Sequence, residues 1–201
     1  TVGIYLARNS ERVWVVDNHI HHLAGDCVGG GHASNYTTKN YYIGRNILHD
    51  ADENAVDLKE VENIVVSQNT MYNFAGASAG SGGGGTAVVI HYGTTYSSKN
   101  VWVLFNEIYH ANHSGIQVGG GQDYPVYIIG NLVHDIHSAT GDAVAYQTWD
   151  SETTYFVGNV FYDVDNGVDH DVGKSQAQLV FYDNIVANVG PSGFHMLVAD
   201  S

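Results

Sequence analysis

Lys59 is one of four lysines in the chain and follows Asp57 by two residues. On an extended segment, residues two apart face the same side, so this ammonium and carboxylate would share a surface. His91-Tyr92 and the amides Gln117 and Gln147 come further along the chain. A lysine, an imidazole and a phenol on one face are the parts of a proton-transfer device, in which one group abstracts and another delivers. An amide such as Gln117 beside them would stabilise a developing oxyanion. Carboxylates gather in Asp52-Glu53-Asn54 and in the turn from Asp163 through Asp165 to Asp169. Oxygen ligands at such close spacing suit a hard cation such as calcium, although the second run lacks EF-hand spacing. Asp169 and Asp171 would stand about 6.5–7 Å apart on one strand, the separation used by an inverting glycoside hydrolase. His21-His22, His49-Asp50 and His134-Asp135 set imidazoles beside imidazoles or carboxylates. That pattern can hold a metal, and it equally makes a repeated polar turn whose groups satisfy one another.

What must position these residues is a repeat. Asn recurs at 18, 46, 69, 106, 131, 159 and 184, at a mean spacing of about 28 residues. Three residues before it come Val15, Ile43, Val66, Val103, Ile128, Phe156 and Phe181, and two after it Ile20, Leu48, Met71, Ile108, Val133, Phe161 and Val186. A second signature of small polar, tiny and large apolar residues closes each unit, as in Asp26-Cys27-Val28, Asn54-Ala55-Val56 and Ser114-Gly115-Ile116. The apolar positions alternate in short runs, which is strand periodicity. Three short strands per unit predict an all-β chain folded as a single-stranded, right-handed parallel β-helix of about seven to eight coils. Coils would stack at about 4.8 Å. The repeated Asn would bond its own kind on the next coil, and its tolerance of left-handed backbone suits a corner. Aligning the units places Lys59 beside His91 on adjacent coils, about 5 Å apart at the backbone. It also forms an outward ladder of Trp14, Tyr42, Val65, Trp102, Tyr127, Tyr155 and Val180, whose aromatic members suit sugar rings. Trp14 and Trp102 are therefore candidate substrate contacts, together with Asp57, Gln117 and Gln147.

These units resemble the right-handed parallel β-helix repeat family of secreted carbohydrate-active proteins. The segment Asp52-Glu53-Asn54-Ala55-Val56-Asp57-Leu58-Lys59, followed by Glu62-Asn63-Ile64, is similar to the catalytic coil of the alginate lyase and chondroitinase B type. The resemblance implies that Lys59 is the base and that Asp52 and Asn54 are calcium ligands. That family's next coil carries an Arg; here Gly85-Thr86-Ala87-Val88-Val89-Ile90-His91-Tyr92-Gly93 has His91 in its place. The implied reaction is β-elimination of a uronic-acid polysaccharide. Lys59 would take the proton next to the carboxylate, and His91 or Tyr92 would protonate the leaving oxygen. The Asp-rich turn adds Asp165 and Asp169 as further calcium candidates.

Composition bounds these readings. Seven Lys+Arg against 21 Asp+Glu leave a net charge of −14, which disfavours nucleic acid as a partner. The same charge would repel a polyanionic substrate, so a lyase here would depend on Ca2+. No apolar stretch is long enough to span a membrane. One cysteine, Cys27, excludes an internal disulfide framework. The chain starts at Thr1 and its ends lack polar caps, so residues 1–201 read as a single domain cut from a longer parent, or as a rod that associates end to end. The resemblance implies a secreted or cell-surface location and an acidic polysaccharide partner. Two other readings stand beside the lyase: a non-catalytic surface, adhesin or filament-forming β-helix, and an inverting hydrolase acting through Asp169 and Asp171.

Overall fold

A computed structural model describes residues 2–30, 38–76, 84–91, 97–119, 124–137, 142–147, 153–171 and 178–190, with only the backbone of 142, 143, 145–147 and 169–171. Every regular element among them is a strand. Sheet 1 is built from Ile4–Leu6, Val28–Gly30, Val56–Lys59, Val88–His91, Ser114–Val118, Asp142–Gln147 and Asn166–Asp171. Sheet 2 is built from Glu11–Val16, Thr38–Gly44, Val61–Ser67, Lys99–Leu104, Val126–Ile129, Thr154–Val157 and Leu179–Tyr182. Sheet 3 holds His19–Leu23, Ile47–Ala51, Thr70–Phe74, Glu107–Ala111, Leu132–Ile136, Val160–Val164 and Ile185–Val189. The chain visits the three sheets in turn, and each strand pairs in parallel with the strand three elements on. The molecule is therefore a parallel β-solenoid.

The alternation seen in the sequence sets the register. Ile43, Val66, Val103 and Ile128 point inward from successive strands of sheet 2 and are fully buried. Leu48, Met71, Ile108, Val133 and Phe161 do the same from sheet 3, and Val56, Val88, Ile116 and Val144 from sheet 1. Each such side chain contributes about 1.5–3 kcal/mol by leaving water. A one-residue slip would turn the whole set outward, so the pairing is fixed by burial.

The corner between sheets 2 and 3 carries the Asn ladder. In each rung one Oδ1 accepts both the backbone N–H and the side-chain Nδ2–H of the preceding Asn; Asn69 donates both to Asn106 at 3.0 Å. The Nδ2 group also donates to a strand carbonyl one coil back, as Asn106 does to Val66 O at 3.0 Å. The ladder Asn is not the left-handed residue, contrary to the expectation from its backbone tolerance. The residue before it is: Asp17, Arg45, Gln68, Phe105, Gly130, Gly158 and Asp183 all have φ between 54° and 67°. An Asn whose own N–H must meet the neighbouring Oδ1 has to keep ordinary geometry, so the preceding residue makes the turn. A second, shorter ladder lies at the tiny-residue corner. Asn54 Nδ2 donates to Asp26 Oδ1 at 2.9 Å, and Thr86 N donates to Asn54 Oδ1 at 3.3 Å. Cys27 fills this corner at 0% exposure, and burial pushes its thiol up to about 12.

Candidate functional site

Three outer faces present side chains. On sheet 1, Lys59 pairs in register with His91, and Asp57 with Val89, which stands beside Gln117. Lys59 Nζ donates to Asp57 Oδ2 at 2.5 Å. Asp57 is buried, and its Oδ1 has no hydrogen-bond partner among the described residues. His91 lies against Gly119, where a Cβ would stand 2.7 Å from the imidazole Cδ2. The expected face is thus assembled as far as Lys59, Asp57, His91 and a half-buried Gln117. Tyr92 lies outside the described residues. Gln147 and Asp169 are described by backbone alone, with Gln147 paired to Asp171 and Asp169 to Ala145.

On sheet 2, Trp102, Tyr127 and Tyr155 stack at centroid distances of 3.8 and 5.1 Å and within 13° of parallel. Rings stacked this closely cover one another's faces and show their edges. A sugar binds an aromatic ring through its face, so the middle of this ladder offers little to a glycan. Trp14, 76% exposed, is the open indole of that stripe.

On sheet 3 the residue three after each ladder Asn forms a longer column. His49, Tyr72, Tyr109, His134 and Tyr162 stack at 4.6–5.1 Å and nearly parallel, with His21 continuing the column at 5.0 Å. The next residue, four after the ladder Asn, is left-handed on every coil: His22, Asp50, Asn73, His110, Asp135, Asp163 and Asn188 have φ between 49° and 59°. Polar side chains at such a turn point out of the coil and meet their counterparts on the next. Asn73 Nδ2 donates to Asp50 Oδ1 at 3.1 Å, and His49 Nδ1 pairs with Asp50 Oδ2 at 2.7 Å. The bonds from His49 and Asn73 hold the Asp50 carboxyl below its ordinary range.

This stripe edges a groove of about 750 Å³. His22, Asp50, Asp52, Asn73 and His110 form its polar rim, and Phe74 with Ala51 its apolar floor. Asp52, a calcium-ligand candidate by sequence, is exposed on this rim. Its expected partner Asn54 is buried in the corner ladder, with Nδ2 bonded to Asp26 and Oδ1 accepting from Thr86. Sequence reasoning found the residues of this groove but read them as a turn.

Near the Asp-rich turn the structure brings together a different group from the expected Asp165 and Asp169. Asp135, His137 and Asp163 bring one ligand atom each within 4.8 Å of one another, and His137 Nδ1 lies 3.2 Å from Asp165 Oδ1. Such a set could hold a cation at the surface. His137 was absent from the sequence expectation because it sits outside the Asp163–Asp169 run.

The fold and these faces define the class: a parallel β-solenoid with laddered corners and a polar groove along one outer edge. No protein-family profile and no curated protein matches the chain. Among solved structures it is similar to the crystal structure of PfbA, a surface adhesin of Streptococcus pneumoniae, at 13% identity and a TM-score of 0.42. The match covers 89% of this chain and 66% of that one. Among the described residues no helix is long and apolar enough to cross a membrane.

Proposed function

We propose that the chain is a non-catalytic glycan-binding segment of a surface or extracellular β-helix, with the glycan lying in the groove beside sheet 3. The observation that carries this reading is the groove itself: shallow and open, with buried Phe74 and Ala51 beneath exposed Asp52, Asn73, His22 and His110 and half-buried Asp50. Carboxylate, amide and imidazole groups over an apolar floor are the usual means of holding hydroxyl-rich rings. The rim residues repeat at the coil spacing of about 4.8 Å, so successive sugars would meet successive coils. Two carboxylates on the rim and a net charge of −14 favour a neutral glycan over a uronan.

A second reading is supported by the register of Lys59 with His91: calcium-assisted β-elimination of an acidic polysaccharide, with Lys59 as base and His91 or Tyr92 as acid. It ranks lower on geometry. An ammonium bonded to Asp57 has no lone pair to offer until that ion pair opens. The amide of Asn54, needed for calcium, is already engaged.

One experiment separates the two readings. The protein is titrated with neutral oligosaccharides and with alginate, pectate and glycosaminoglycan fragments, with and without calcium, while absorbance near 235 nm is followed. Saturable binding of a neutral glycan, weakened about tenfold or more by Asn73→Ala or His110→Ala without change in circular dichroism, supports the groove. An absorbance rise that Lys59→Ala abolishes establishes the lyase and overturns the first reading. Neither binding nor a rise overturns both.

A further inference from the structure

Four imidazoles meet at one end of sheet 3. His19, His21 and His22 come from the strand His19–Leu23, and His49 from its neighbour Ile47–Ala51. His19 Nε2 and His49 Nε2 lie 2.6 Å apart, and so do His21 Nδ1 and His22 Nδ1. The ring centroids of His19, His21 and His49 form a nearly equilateral triangle with edges of 4.6, 4.9 and 5.0 Å. Each close nitrogen pair needs one proton and one lone pair, and charging both members is repulsive. A cation shared between lone pairs resolves that crowding.

We propose that this cluster is a binding site for a divalent transition metal of the zinc, nickel or copper class, ligated by His19 and His49 through Nε2 and by His21. The proposal does not rest on the glycan reading. His49 is the preorganised member. Its Nδ1 is tied to Asp50 Oδ2 at 2.7 Å, which leaves Nε2 as the ligating atom in the manner of a carboxylate–histidine–metal arrangement. Its ring is stacked on Tyr72 at an interplanar angle of 4°. His19 and His21 are exposed and free to adjust. With metal–nitrogen bonds of about 2.0–2.1 Å, tetrahedral ligand nitrogens stand about 3.3 Å apart. The His19–His49 pair therefore needs to open by less than about 1 Å. Three imidazoles around one ion have centres about 5 Å apart, the size of the triangle already present. His21 must turn its nitrogen from His22 toward the ion and tilt out of its parallel stack on His49, a movement of one exposed ring, and water completes the coordination.

The test is calorimetric titration of the intact chain with Zn2+, and with Co2+ read by its visible absorption. One ion per chain is expected, with nitrogen-rich tetrahedral Co2+ bands. His19→Ala and His49→Ala should each weaken binding about tenfold or more, and Asp50→Asn about tenfold. His137→Ala, in the separate Asp135–Asp163 cluster, should leave the affinity unchanged. His49 is packed in a column, so its variant is judged only if circular dichroism is unchanged; the exposed His19→Ala decides otherwise. The absence of saturable binding overturns the proposal. So does wild-type affinity in His19→Ala, or loss of binding in His137→Ala.

Discussion

Asp26 shows how a single carboxyl can work against a fold that needs it. It is buried at the corner before sheet 1, and its Oδ1 accepts from both the N–H and the Nδ2 of Asn54. Burial, and then the charge of Asp57, push its carboxyl up to about 6. An unfolded Asp titrates near 3.9, so between about pH 4 and pH 6 the native state holds a proton that the unfolded state has lost. Stability therefore falls as pH rises through that window, and the penalty of about 2–3 kcal/mol is complete above pH 6. Asp26→Asn keeps the acceptor and removes the charge. Urea denaturation at pH 7.5 should show a gain of up to about 2 kcal/mol, and none at pH 3.5. An equal effect at both pH values would mean that the charge is not the cause.

At the scale of the element, the conformational strain sits in the left-handed residues, some between strands and others, such as His22 and Asp50, inside them. The left-handed residue before each ladder Asn is a glycine only twice, at Gly130 and Gly158. A side chain in that conformation costs about 1–2 kcal/mol, so Gly158→Ala, with open space around it, should lose about 1 kcal/mol. Gly130→Ala should lose more, because its Cβ would stand 2.5 Å from the Phe105 ring on the preceding coil. Phe105 is itself left-handed and exposed. In a Phe105→Ala background the two alanine substitutions should cost the same. A persisting difference in thermal denaturation would place the strain elsewhere than in this contact.

Across the whole molecule, the solenoid behaves as a line of nearest neighbours, so the cost of a broken rung depends on where it lies. Asn106→Ala strips the acceptor from Asn69 N and Nδ2, and the donor from Val66 O, all in buried surroundings. Unsatisfied buried groups cost about 1–3 kcal/mol each, so a loss of about 3–5 kcal/mol is expected. Asn18, half-buried at the end of the ladder, donates from N and Nδ2 to Asn46 Oδ1 and from Nδ2 to Val16 O, and among the described residues no further ladder Asn donates to it. Its alanine variant should cost about 1 kcal/mol. Chemical denaturation of the two variants checks this directly, and equal losses would contradict a neighbour-by-neighbour stability.

The sequence by itself determined the solenoid. A period carried by Asn at 18, 46, 69, 106, 131, 159 and 184, with apolar residues at fixed offsets, admits one way of burying every unit, because each coil can hide its inner face only against the next. It also placed Lys59 beside His91, since register follows from the same offsets. Two things were decided only in three dimensions. One is which backbone position turns left-handed, because that depends on where the Asn N–H must point to meet the neighbouring amide. The other is what the outward residues become. Asn54 looked like a calcium ligand and is a ladder rung; Trp102 looked like a sugar platform and is covered by Tyr127; His19, spaced away from His49 in the chain, touches it. Spacing along the chain says which residues share a face. Only the packed coils say which of their atoms are already spoken for.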